Sequence, residues 1–132
     1  MLTLKTKNRE IVDLFNGLQS VQDLQGVRFG LVISKNVRII QKELSDLEEA
    51  SKPSNEFIVL SQKVNALNDD TETISKLEEE HKELIESRKE QLKDIEKLLD
   101  ENVEISLHPV KEDVLPENIT AAQITAIDKL IE

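Results

Sequence analysis

Polar and apolar residues alternate at the start of the chain, Leu2 and Leu4 against Thr3 and Lys5. They alternate again at 103–108, where Val103, Ile105 and Leu107 face away from Glu104, Ser106 and His108. Alternation of period two predicts two short strands, 2–5 and 103–108. A lone strand leaves its backbone N–H and C=O groups unpaired, so each of these is the natural partner of the other. Leu2 and Leu4 are then set against Val103, Ile105 and Leu107. A two-stranded ribbon is marginal by itself, and its apolar face has to pack on helices.

Between the strands the period changes to that of a helix. Ile11, Leu14, Phe15, Leu18 and Val21 predict a helix over 9–21 with Asn8 as its N-cap. Gly26 suits a turn, and a helix over 27–51 follows, in which Ile33, Val37, Ile40, Leu44 and Leu47 recur at steps of four and three. Gly26 and Gly30, one turn apart, would let another backbone come close. Pro53 ends this helix. From 55 to 100 the helical period runs almost without interruption through Phe57, Leu60, Val64, Leu67, Ile74, Leu77, Leu84, Leu92 and Ile95. A register step between Ile74 and Leu77, beside the polar "NDDTET", marks a stutter near 68–71, with Asp69 and Glu72 spaced as a capping-box-like restart. The stretch therefore reads as one long helix or as a helix broken near 68–71. Thr120 and Gln123 fit a capping box flanked by Ile119 and Ile124, which predicts a helix over 121–131 burying Ile124, Ile127, Leu130 and Ile131.

These elements add up to a mainly α fold in a single domain, 1–132. It is a long antiparallel helical hairpin with short N- and C-terminal helices and a small two-stranded β-ribbon joining the termini. A helix of about 46 residues would be roughly 69 Å long, against roughly 37 Å for the helix before it. The overhang carries Leu84, Leu92 and Ile95, a stripe that should not face water, and the terminal elements are the cover within reach. Ile33, Val37, Ile40, Leu44, Leu84, Leu92 and Ile95 are accordingly the candidate packing and interaction residues.

Composition narrows the chemistry. Three Phe and no Trp or Tyr make the core aliphatic and remove the stacking platforms that grip single-stranded nucleic acid, while a net charge of −10 opposes a phosphate backbone. The charge is segregated: residues 1–42 carry a net +4 and the remainder −14. Arg28, Lys35, Arg38 and Lys42 share one face of their helix, and pairing with acids of the long helix is expected ahead of phosphate contact. With no Cys, no disulfide, thiol nucleophile or thiolate metal site is possible. His81 and His108 stand at no metal-ligand spacing, and phosphate-cradle and hydrolase signatures are absent. The acidic run after Leu77 mixes signs one turn apart (Glu78 and Lys82, Glu79 and Lys82, Glu86 and Lys89), the pattern of a solvated helix face. No catalytic, cofactor-binding or metal-binding residues are therefore expected, and no enzyme. The start "MLTLKTKNRE" lacks a signal peptide's apolar region, and the apolar stretch near "FGLVI" is too short to cross a bilayer, so a soluble chain is expected.

The order of segments "LTLKTKNREIVDLFNGL", "VRFGLVISKNVRIIQKELSDLEEA" and a charged helix ending in "VEISLHPVKEDVLPENITAAQITAIDKLIE" resembles small tailed-bacteriophage and prophage proteins of unknown function. The resemblance covers both ends of the chain and rests on the order and character of its segments. It implies a phage origin and a non-enzymatic role through protein–protein contacts, foremost as a structural or assembly component of the virion associated with capsid, portal or tail. The partners implied are other phage structural proteins or copies of itself, first in the host bacterial cytoplasm during infection and then in the virion. The alternative is a phage-encoded effector that binds and inhibits a host protein through its acidic helical face. Neither a membrane nor a nucleic acid is an expected partner.

Overall fold

The two ends of the sequence meet in the ribbon. In the computed structural model, which describes residues 1–67 and 70–132, β1 (Leu2–Lys7) pairs antiparallel with β2 (Asn102–Leu107). Leu2 lies opposite Leu107, Leu4 opposite Ile105 and Thr6 opposite Val103, so the apolar positions of both strands share one face. Leu107 and Ile105 are buried there, with Leu2, Leu4 and Val103 packed at the edge of the core. The other face is polar: Thr3 and Ser106 hydroxyls lie 3.2 Å apart, and Lys5 stands across from Glu104.

The rest of the described chain is mainly helical: α1 (Asn8–Ser20), α2 (Val27–Ser51), α3 (Asn55–Ala66), α4 (Thr71–Glu80), α5 (Lys82–Leu99) and α6 (Ala121–Ala126), with 3₁₀ turns at Glu112–Val114 and Asp128–Leu130. The fold divides into two compact units. Unit one is Met1–Asp46 with Leu98–Glu132, and unit two is Leu47–Lys97.

Unit one holds the core. Ile11, Leu14 and Leu18 of α1, Phe29, Ile33, Val37 and Ile40 of α2, the two strand residues, Val110, Ile127 and Leu130 bury their side chains together. Asn8 is not the cap of α1. Its amide donates to the Leu98 carbonyl at 2.8 Å, tying α1 to the segment before β2, and Glu10 accepts the Lys7 N–H in its stead. The close backbone approach also falls at another glycine. A Cβ at Gly17 would lie 2.5 Å from the Ala126 carbonyl oxygen, because α6 packs on α1 there, whereas a Cβ at Gly30 would meet nothing within 4 Å. Gly26 does serve a turn, with φ at 131°, and its carbonyl accepts from the Gly30 N–H as α2 begins.

Two further expectations change. The capping box of α6 is present, Thr120 and Gln123 exchanging both bonds, yet the helix stops at Ala126 and does not run to 131. The last residues turn to pair with Val110: its N–H donates to the Leu130 carbonyl and its carbonyl accepts from the Glu132 N–H, so Val110 and Ile131 form a parallel bridge. Ile124, expected to be buried, is 37% exposed, since Ile127 and Leu130 take the core positions. Of the two forms expected for 55–100 the broken one is found, α3 ending at Ala66 and α4 beginning at Thr71. Asp70 caps α4 by accepting the Thr73 N–H; the restart expected at Asp69 lies outside the described residues. A second interruption, unforeseen, is one residue long, at His81 with φ −112° and ψ 27°. Hydrogen bonding continues through it, Ile85 N–H donating to the His81 carbonyl, and no Gly or Pro announces it.

Candidate interaction surfaces

In unit two α3 and α4 start from ordinary caps, Ser54 accepting the Phe57 N–H as Asp70 does for Thr73, but the helices bury little. Leu60 of α3 is buried, while α4 and α5 have no buried side chain. Leu84 and Ile95 are half-buried and Leu92 is 46% exposed. The apolar residues of α1, α6 and the ribbon, the cover expected for this stripe, pack in the core of unit one. An open groove of about 920 Å³ lies in unit two, with Glu56 and the 48% exposed Val59 from α3, Glu79 and Glu80 from the end of α4, and Glu83 and Leu84 from the start of α5. Unit two carries fourteen acids against eight bases in sequence, a net −6, so this groove sits in a negative field.

Two side chains of α5 hold the turn between α2 and α3. Arg88 donates to the Ser51 carbonyl at 3.0 Å and to the Gln91 side-chain oxygen at 2.7 Å, with its guanidinium 5.9 Å from the Phe57 ring centre. Gln91 donates to the carbonyls of Ala50 and Lys52 at 2.8 and 2.9 Å. These bonds satisfy acceptors that the end of α2 leaves without intrahelical partners. Beside them the Lys52 amine donates to Glu49 at 2.8 Å; that hydrogen bond, with the carboxylate charge, raises the Lys52 pKa above its ordinary value. Neither Arg88 nor Gln91 stood out in sequence, where nothing in a charged helical run marks a residue that reaches across to a distant turn.

The second surface is the outer face of α2 in unit one. Ile33, Val37 and Ile40 are buried on the inner face, and Leu44 is half-buried against the same core. Asn36 joins them: fully buried, it donates to the His108 carbonyl at 2.9 Å and accepts the His108 N–H at 2.8 Å, as a neighbouring strand would. The only sequence sign of it was a polar residue inside an apolar seam. On the outer face Val27, Leu31, Lys35, Arg38 and Lys42 follow one another at steps of four, four, three and four, with Arg28 beside them, within about 100° of the helix circumference. All six are exposed, Val27 at 81% and Leu31 at 54%. Among the described residues none of the four cations has an ion-pair partner, and Arg38 donates only to the Ser34 carbonyl one turn back.

Among the described residues no group of three or more His, Cys, Asp or Glu is arranged to hold a metal ion, and no helix is long and apolar enough to cross a membrane. No family model, curated protein or solved structure matches this chain.

Proposed function

We propose that this protein acts without catalysis, through protein–protein contacts, as a structural or assembly component of a tailed-phage particle, docking on a capsid, portal or tail protein or on copies of itself. The observation that carries the reading is the unfinished surface of α4 and α5: Ile74, Leu77, Leu84, Leu92 and Ile95 stand at helical spacing, and neither helix buries a side chain. An amphipathic helix is stable when its apolar stripe is covered, and helix-in-groove recognition supplies that cover from a partner. The phage setting is supported by the sequence resemblance alone. The long antiparallel hairpin expected of α2 and the helices after it belongs to this proposal, as the arm that would reach the partner. Mass spectrometry of purified virions tests it: the protein should be present at the stoichiometry of a structural component, and its absence would overturn the reading. The glutamates of the unit-two groove favour one alternative, an effector that blocks a basic surface of a host protein. Absence from virions together with a host protein recovered at near-equal stoichiometry would select that alternative.

A further inference from the structure

We infer that the outer face of α2 in one copy docks on the acidic groove of unit two in a second copy, so that the protein associates head to tail. The inference deepens the assembly reading and rests on it in naming a second copy as the partner. The two surfaces match in kind. The α2 face offers two exposed apolar side chains, Val27 and Leu31, and four cations, with no acid between Val27 and Lys42. The groove offers Val59 and Leu84 among Glu56, Glu79, Glu80 and Glu83, four carboxylates against the single cation Lys82. Apolar contact framed by opposite charges is how an interface gains both burial and register.

Among the described residues of unit one no acid pairs with the exposed cations of α2, which leaves their charge open to the groove of a second copy. A symmetric contact of groove on groove would set four glutamates and one lysine against the same set, and α2 on α2 would set cations against cations; both are repulsive in net charge. Joining two different patches leaves one patch of each kind free at the ends. Such a contact closes into a ring or grows into a filament, which is what an assembly component requires. Because the charged pairs lie at an exposed rim, the association weakens as salt screens them.

Light scattering of the full chain over a range of concentrations tests the contact with two charge-reversed variants. One carries Arg28→Glu, Lys35→Glu, Arg38→Glu and Lys42→Glu; the other carries Glu56→Lys, Glu79→Lys, Glu80→Lys and Glu83→Lys. The unaltered protein should gain mean mass with concentration at low salt and lose it at high salt. Each variant alone should stay monomeric, and their equimolar mixture should associate again, which also shows that both are folded. A chain that stays monomeric at every concentration overturns the inference. Variants that associate as the unaltered protein does, or well-folded variants whose mixture stays monomeric, overturn it as well. A monomeric chain found at structural stoichiometry in virions would remove this contact and leave the assembly reading standing. Head-to-tail association of a chain absent from virions would do the reverse.

Discussion

Both units are built on amphipathic helices of similar pattern, yet among the described residues thirteen of the fourteen buried hydrophobic side chains belong to unit one, and unit two keeps Leu60. The difference is one of sequence distance. Unit one is closed by segments from the two ends of the chain: β1 on β2, α6 on α1, Asn36 on His108, and the ion pairs Arg9–Asp100 and Glu10–Lys129. In unit two the ion pairs Lys52–Glu49, Lys89–Glu86 and Lys93–Glu90 each join residues three apart, and the bonds of Arg88 and Gln91 that do reach a distant segment hold the turn after α2 without closing a core. Helical periodicity alone therefore does not make a core. It needs non-local elements to close over it, and where they are missing the same stripe becomes a surface for something else.

The sharpest way to break the comparison is to place one charge in each unit. Ile105→Lys puts an ammonium where 5% of the side chain reaches solvent, and burial of an unpaired charge should cost about 4 kcal/mol or more, enough to abolish the cooperative unfolding of unit one in a urea titration. Leu92→Lys, at a half-exposed position of α5, should change stability by less than about 0.5 kcal/mol. Equal losses from both would refute the division. Next in size, Asn36→Ala removes the two bonds to His108 and leaves its peptide group unpaired in the core, a cost of about 2 kcal/mol. The amide of His108 should then lose its protection from hydrogen exchange.

Two glycines separate packing from propensity. Gly17→Ala forces a Cβ against the Ala126 carbonyl and should destabilise unit one by about 1–3 kcal/mol. Gly30→Ala meets open space inside a helix and should stabilise by about 0.5–1 kcal/mol. Thermal melts that moved in the same direction for both would contradict the placement of α6 on α1. In unit two, Gln91→Ala removes bonds to the Ala50 and Lys52 carbonyls, which water can replace at this exposed site, for a loss of about 0.5–1 kcal/mol and faster exchange in the first turn of α3.

What the sequence made legible follows the same line. The strands and their facing residues, the α2 boundaries at 27 and 51, and the capping box of α6 are written in local period and cap chemistry. Gly17 and Gly30 are alike in sequence, and only the arrival of α6 tells them apart. The end of α6 was hidden because Val110, far back along the chain, competes for the backbone of Leu130 and Glu132. The outer face of α2 was legible as a basic face but not as an unpaired one. Partners of surface cations depend on where the acids of other elements come to lie, and periodicity carries no trace of that.

The smallest effect sharpens the contrast in ion pairs. Lys52 is exposed, and its hydrogen bond to Glu49, then the charge of that carboxylate, raise its pKa. A lysine whose pKa rises on folding contributes stability that is present below its unfolded pKa and is lost as pH climbs through the folded one, so any contribution vanishes on the alkaline side of the ordinary lysine range. Side-chain NMR titration should find Lys52 deprotonating above the ordinary lysine value, and Glu49→Gln should lower it. The pair links residues three apart and lies in water on all sides, so the same substitution should leave the unfolding midpoint unchanged. Asp100→Asn is the matching test in unit one, where Arg9 and Asp100 join α1 to the residue before β2. A midpoint that moved for Glu49→Gln and stood still for Asp100→Asn would reverse the assignment of long-range electrostatics to unit one.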